Sequence, residues 1–371
     1  MIDHEEKTDP SITLPPITAS AQRPKLPDLG ILNNYLADAD VTEILVNDTR
    51  NVIIEKKGKM LLTPVKFQTI EELNRVVRTI TDVSGGIVSI DQPYLDTSLP
   101  DGSRVHISAP PLVQKGACIA IRKFPAKGFS LQDLLDQKML SPSMAQFLAA
   151  CVKGRLNIII SGGTSSGKTT LLKALCEYIP QSERVITIED TRELSLTHPN
   201  SVSFLSKPKS PSSAAISARQ LVANSLRMRP DRVIVGECRR DEALDMLQAM
   251  NTGHDGSLTS IHANSPRDAL SRIETLSLMG SGDIPILALR KQIVSAIDLV
   301  IQVKRFRDGV RRVTEISEIT GLETETITML DIFEYDVEKN SFGGTGFVPT
   351  FFEKLAINGV ELPTQFFDRL G

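Results

Sequence analysis

A chain of 371 residues has room for two domains at roughly 150 residues each. Lys and Arg total 42 against 45 Asp and Glu, a net charge of −3 that argues against a basic nucleic-acid coat, and the 41% hydrophobic and 23% charged fractions are those of an ordinary globular protein. Cys118, Cys151, Cys176 and Cys238 form no C-x-x-C pair, no apolar run reaches the ~18 residues of a membrane span, and the polar start from Met1 to Pro10 is unlike a signal peptide, so a disulfide scaffold, a zinc ribbon, a secreted protein and an integral membrane protein are not expected.

Residues 1–28 are rich in Pro, Ser and Thr without a helical or strand period, and read as a disordered tail. Residues 29–124 read as a small α/β domain. Val41–Val46 and Val52–Glu55 are strand-like around the turn signal Asn47-Asp48, and Lys57-Gly58-Lys59 reads as a hairpin turn before Met60–Leu62. Thr69 and Glu72 have the spacing of a capping box for a helix with Leu73, Val76, Val77 and Ile80 on one face and Gly85-Gly86 at its end. Arg104–Ser108 and Ala117–Lys123 are two further strands, followed by a linker over residues 125–139 that starts in Pro125–Gly128.

Residues 140–371 read as the large domain. Leu156–Ile160, Arg184–Ile188 and Arg232–Val235 are short apolar runs suited to strands buried on both faces of a parallel sheet, and the more polar Ser257–Ile261 is a fourth strand candidate. Helical patterns separate them: one ends before Pro230, one ends at Gly253, and one starts at Pro266 after Ser265 with Ala269, Leu270 and Ile273 inward. Strand and helix in alternation imply a doubly wound α/β domain, with ligands at the carboxyl ends of the strands.

Between the first of these strands and a helix carrying Leu171, Leu172 and Leu175 lies Gly162-Gly-Thr-Ser-Ser-Gly-Lys-Thr169, a match to G-x-x-x-x-G-K-[ST]. The glycines let successive backbone N–H groups face phosphate oxygens, and the helix start adds its positive dipole end. Lys168 supplies a point charge for β- and γ-phosphates, and Thr169 a hydroxyl for Mg²⁺.

Acidic residues end two of these strands. Glu237 follows Val233-Ile-Val-Gly236, where an acid can hold the metal; Glu189 and Asp190, with Glu193 beyond them, are placed to polarise a water. An acid at a strand end is also the ordinary position of a helix cap or solvated loop residue. His262 ends the last strand eight residues after His254, without a third ligand at zinc spacing, and reads as a γ-phosphate sensor or a capping histidine. Arg104 and Arg122, in the small domain's last strands, and Arg227, Arg229, Arg239 and Arg240, around the Glu237 strand, are the arginines that could meet transferring phosphate.

The stretches LPDGSRV, NIIISGGTSSGKTTLL, ERVITIEDTREL and the run from Leu226 to Arg272 resemble the secretion-ATPase superfamily of type II and type IV secretion and type IV pili, and within it the Tad (tight adherence) pilus-assembly ATPases. The resemblance spans about residues 29 to 335 in order. It implies an N-terminal PAS-like domain and a C-terminal RecA-like P-loop domain. It also implies a homohexamer in the cytoplasm, docked on inner-membrane platform proteins, that uses ATP and Mg²⁺. Gly162, Gly163, Thr164, Ser165, Ser166, Gly167, Lys168, Thr169 and Thr170 match the Walker A loop. Glu189 matches the catalytic glutamate of the Asp box, Glu237 the Walker B acid, His262 with His254 the His box, and Arg104 and Arg122 N-terminal-domain arginines that approach the γ-phosphate on closure. The sequence departs from the family pattern at Ser98, where Arg is common, at Ser165-Ser166, where Gly-Ser is commoner, and in the loop Lys207–Ser213, which is shorter and less acidic than the usual one.

The resulting expectation is a hexameric motor that assembles, or assembles and retracts, a Tad-like pilus. A type IV secretion ATPase is the alternative within the class. A RecA-like DNA motor fits poorly with near-zero net charge and no tryptophan, and a non-hydrolysing scaffold fits poorly with acids at 189 and 237.

Overall fold

Alternating apolar residues build two sheets, one buried on one face and one buried on both. The computed structural model describes residues 26–56, 58–124, 128–207 and 214–368; nearly all of the expected tail, Pro125–Lys127 of the expected linker and residues 208–213 of the short loop lie outside them.

The first sheet is antiparallel, with strands β1 (Val41–Val46), β2 (Val52–Lys56), β3 (Lys59–Leu62), β4 (Tyr94–Ser98), β5 (Arg104–Ser108) and β6 (Cys118–Arg122) in the order β3-β2-β1-β6-β5-β4. Val105 and Ile107, and Ile119 and Ile121, turn to one face, where the short helix α1 (Asn33–Ala37) and α2 (Ile70–Ser84) share their core through Leu36, Leu73, Val76 and Ile80. Thr69 caps α2 by accepting from Glu72 N at 3.2 Å, but the Glu72 carboxylate accepts from Gln68 N at 2.7 Å, one residue earlier than a capping box requires. Gly85, at φ +68°, ends the helix. Strand β4 was not expected, because Tyr94–Ser98 is a mostly polar edge without a buried alternation.

The second sheet has nine strands: β7 (Ile158–Gly162), β8 (Val185–Glu189), β9 (Ser201–Leu205), β10 (Arg232–Cys238), β11 (Leu258–Ile261), β12 (Leu299–Arg305), β13 (Arg311–Glu323), β14 (Thr326–Asp336) and β15 (Ser341–Gly344). Their order is β15-β14-β13-β12-β7-β11-β10-β8-β9. The run from β12 to β9 is parallel, and β13, β14 and β15 extend it as an antiparallel meander. The domain is therefore only partly doubly wound, since a short hairpin can join antiparallel strands without a crossover helix.

Helices cover both faces. Ile158, Ile160, Ile234 and Ile301 pack with α3 (Leu131–Asp136), α4 (Pro142–Lys153), α5 (Lys168–Cys176) and α10 (Phe352–Ile357). Ile159, Val233, Val235 and Val300 pack with α6 (Ala218–Ser225), α7 (Glu242–Asn251), α8 (Pro266–Gly280) and α9 (Ile286–Ala296). Adjacent residues of one strand thus enter opposite cores, the two-residue period of an extended chain. Helix α3 falls in the expected linker, yet Leu131 and Leu134 are buried in the large core.

At the sheet's amino end Arg232 is fully buried. Its guanidinium pairs with Glu183 and donates to Val152 O at 2.6 Å, so the start of β10 is tied to α4. Arg232→Ala leaves the mostly buried Glu183 with Arg155 NH1 at 3.7 Å and without its closer partner, and is expected to cost about 3 kcal/mol of stability, the lower end for breaking a buried pair. Arg232→Met, which fills the volume at the amino end of the sheet, should cost more stability than a surface change but less than alanine. Urea unfolding measures both; equal midpoints for alanine and parent would mean the pair carries no stability.

Candidate active site

The phosphate loop is positioned by β7, which lies between β11 and β12 and is buried along its whole length. Gly162 is required where the strand ends: a Cβ there would meet Val303 O at 2.4 Å and Ser166 Oγ at 2.6 Å. Gly167, at φ +101°, turns the chain into α5, which begins at Lys168. Gly163, Thr164 and Ser165 are exposed at the rim, Ser166 is buried beneath them, and Thr169 and Thr170 are half-buried in the first turn of α5. Lys168 Nζ donates to Gly162 O and Gly163 O, both at 3.0 Å, and lies 3.4 Å from each ring nitrogen of His262. Burial lowers the Lys168 pKa; Glu237 opposes this and the Arg239 and Arg122 charges add to it. An anion in the loop would favour the charged lysine again.

The acids come from adjacent strands. Glu189, 6% exposed at the end of β8, accepts on Oε1 from Glu193 N and Leu194 N, each at 2.9 Å. Its Oε2 is buried with no hydrogen-bond partner among the described residues. Burial raises the Glu189 pKa, and the two backbone bonds oppose the shift. Its Cγ packs on Gly236, where an added Cβ would approach to 3.1 Å. Glu237, near the end of β10, binds Arg239 Nε through Oε2 at 2.7 Å and has Oε1 2.7 Å from His262 Nε2, without an aligned hydrogen bond at Oε1. Burial lowers the His262 pKa, with Glu237 opposing and Lys168 and Arg239 adding. Arg239 NH1 reaches Asp190 Oδ2 at 3.4 Å. One polar chain, Lys168–His262–Glu237–Arg239–Asp190, therefore crosses the carboxyl ends of β7, β11, β10 and β8.

This donor set suits magnesium. Thr169 and Glu237 offer hard oxygens, and Glu237 Oε1 is an acceptor without an aligned donor. No three His, Cys, Asp or Glu residues among those described form an all-protein cage. Mg²⁺ is usually held by one or two side chains together with phosphate oxygens and water.

The two arginines of the first sheet take different positions. Arg104 and Arg122 are register partners on β5 and β6. The Arg104 guanidinium pairs with the Glu193 carboxylate, across to the loop after β8, while its Nε is buried without a partner. Arg122 is exposed, 3.9 Å from Glu43, with its charge still felt at Lys168. His254 is separated from the site: its Nδ1 lies 3.2 Å from Ala249 O, before β11, while His262 follows that strand. Arg239 joins the site, whereas the Arg240 backbone caps the start of α7, its N–H donating to Glu242 and its carbonyl accepting from Ala243 N. Sequence reasoning missed Arg311 on β13, whose Nε donates to Ser165 O at 2.9 Å; the available signal was a strand that starts immediately after the Asp308-Gly309 turn.

A buried parallel strand, a glycine-bounded loop, a helix start and convergent strand-end acids define a phosphate-loop α/β protein. Residues 25–321 match the Type II/IV secretion system protein family, and the chain belongs to it. It is 32% identical to the type IV secretion system protein VirB11 of Bartonella henselae, over 77% of this chain and 90% of the relative. It is also 32% identical to the conjugal transfer protein TrbB of Rhizobium radiobacter, over 77% of this chain and 86% of the relative. The X-ray structure of the Legionella pneumophila ATPase DotB shares the fold, at TM-score 0.56 and 20% identity, over 82% of this chain and 84% of that one. No helix among the described residues is long and apolar enough to cross a membrane.

Gly236→Ala tests the acid's placement. The added methyl displaces Glu189 by a few tenths of an ångström, and ATP turnover is expected to fall about tenfold to a hundredfold with nucleotide affinity unchanged. Steady-state hydrolysis and fluorescent-nucleotide titration measure the two separately; parent-like turnover would show that the position of Glu189 is not critical.

Proposed function

We propose that the protein is a magnesium-dependent ATP-hydrolysing motor, working as a homohexamer on inner-membrane platform proteins at the cytoplasmic face, and that it assembles a Tad-like type IV pilus. The observation that carries the ATPase reading is the meeting of Lys168, Glu189, Glu237 and His262 at one rim. In this reading residues 29–124 are a PAS-like domain and residues 140–371 a RecA-like one. Lys168 leaves the Gly162 and Gly163 carbonyls to hold the β- and γ-phosphates. Thr169 and Glu237 would hold magnesium, which when bound would supply charge neutralisation. Glu189 takes the proton of the attacking water through its unpartnered Oε2, favoured by the raised affinity for protons that burial gives it. His262 senses the γ-phosphate from beside Lys168. Arg104 exchanges Glu193 for the γ-phosphate when the two sheets close on nucleotide, and Arg122 follows from the neighbouring strand.

The Tad assignment rests on the motif run from Leu226 to Arg272, including Asp255 in Thr-Gly-His-Asp-Gly. A second reading, a type IV secretion motor, is favoured by the identity to VirB11 and TrbB.

Lys168→Ala is expected to abolish turnover and weaken ATP binding. Glu189→Gln should keep ATP binding and lower turnover by about 10²–10⁴-fold, the range of a lost general base, whereas Glu237→Gln should raise the magnesium concentration needed for half-maximal rate. Identical metal titrations for the two acid variants would overturn the division of roles. Expressed in the native cell, Lys168→Ala should remove surface pili; loss of protein or DNA transfer with pili intact would select the secretion reading.

A further inference from the structure

The hairpin that joins β12 to β13 overhangs the phosphate loop. Strand β12 runs beside β7 as far as Val303 opposite Gly162, then continues through Lys304 and Arg305 beyond the end of β7. The chain turns at Gly309, φ +83°, closed by hydrogen bonds from Phe306 N to Val310 O at 2.9 Å and from Gly309 N to Phe306 O at 3.0 Å. Its return starts with Arg311, register partner of Arg305. The turn is stiffened by Arg312, which is nearly buried, pairs with Asp308 at 3.0 Å, and stacks its guanidinium on Phe306 at 4.9 Å and Tyr335 at 5.2 Å.

Arg311 crosses from this frame to the loop. Its Nε donates to Ser165 O at 2.9 Å, and its Cδ is the atom that a Cβ on Gly167 would meet, at 3.1 Å. Ser165 holds φ +57°, a left-handed conformation that a residue with a Cβ adopts only when its surroundings impose it. The carbonyl of that residue is the one Arg311 binds. Arg305 extends the same hairpin toward the first sheet, with its guanidinium 3.4 Å from Gly58 O at the β2–β3 turn.

We propose that Arg311 is a positioning residue of the nucleotide site: it holds Ser165 in the left-handed conformation and so keeps the backbone N–H groups of the phosphate loop aimed at the β-phosphate. The inference rests on the reading of this loop as an ATP site. It assigns the β12–β13 hairpin, a segment outside the phosphate loop and the strand-end acids, to ground-state nucleotide binding. Because Arg311 acts on the loop and not on the water or the γ-phosphate, ADP and ATP lose affinity together when it is removed. A glycine at position 165 adopts positive φ without support, so it makes the arginine dispensable.

The test is a double-mutant cycle on the full chain, read by fluorescent ADP and ATP titration and by steady-state ATP hydrolysis. Arg311→Ala is expected to weaken both nucleotides by about tenfold, the scale of one lost charge-assisted hydrogen bond. Arg311→Lys, which retains a charged donor and keeps the fold secure, should recover most of that loss. In the Ser165→Gly background the same Arg311→Ala change should cost about threefold or less, because the conformation no longer has to be imposed. Parent-like affinity in Arg311→Ala, or an equal loss in both backgrounds, overturns the assignment, as does a selective loss of ATP over ADP. Failure of the parent to bind either nucleotide would instead remove the ATP-site reading itself, and Lys168→Ala in the same titration is the control that separates the two.

Discussion

The arrangement depends on one constraint: six adjacent strands, from β12 through β7, β11, β10 and β8 to β9, run in the same direction. Parallel strands end on one side of the sheet, so residues far apart in sequence share a rim without any loop having to bring them there. Gly162, Glu189, Glu237 and His262 each stand at or just beyond such an end. The same geometry explains why His254, only eight residues from His262, is not in the site: it precedes the strand that His262 follows.

The rim stores unsatisfied polar groups. Glu189 Oε2, Glu237 Oε1, Ser166 Oγ and Arg104 Nε are all buried without a hydrogen-bond partner among the described residues. Leaving several such groups orphaned within one site costs stability that a folded core does not normally give up. Phosphate oxygens, a hard cation and water are the partners they suit. Glu193 couples this rim to the first sheet. Its carboxylate holds Arg104, and its backbone N–H holds Glu189 Oε1. Glu193 thus touches both Arg104 and Glu189, a contact through which closure of the first sheet could reach the acid proposed to activate water.

Much of this was legible in the sequence. The phosphate loop was readable because glycine, lysine and hydroxyl spacing is dictated by phosphate geometry, and strands β7, β8, β10 and β11 because short runs rich in Val, Ile and Leu suit burial on both faces; β12, interrupted by Gln302, was not read. Strand β4 and the meander β13–β15 were not, for different reasons. β4 is polar on an edge, and the meander adds strands without the helices that a doubly wound pattern leads one to expect. Helix α3 was hidden by its short length, with only Leu131 and Leu134 to mark its buried face. In the site, pairings across elements were out of reach: that Arg104 meets Glu193, and that Arg311 meets Ser165, follows from tertiary placement 89 and 146 residues apart in sequence.

The most direct measurement is a structure of the full chain with magnesium and a non-hydrolysable ATP analogue. The account predicts phosphates cradled by residues 162–169 with Lys168 on the γ-phosphate, and Arg104 released from Glu193 toward the same group. Nucleotide bound elsewhere, or bound in the loop with Arg104 still on Glu193 and remote from the phosphates, would contradict it.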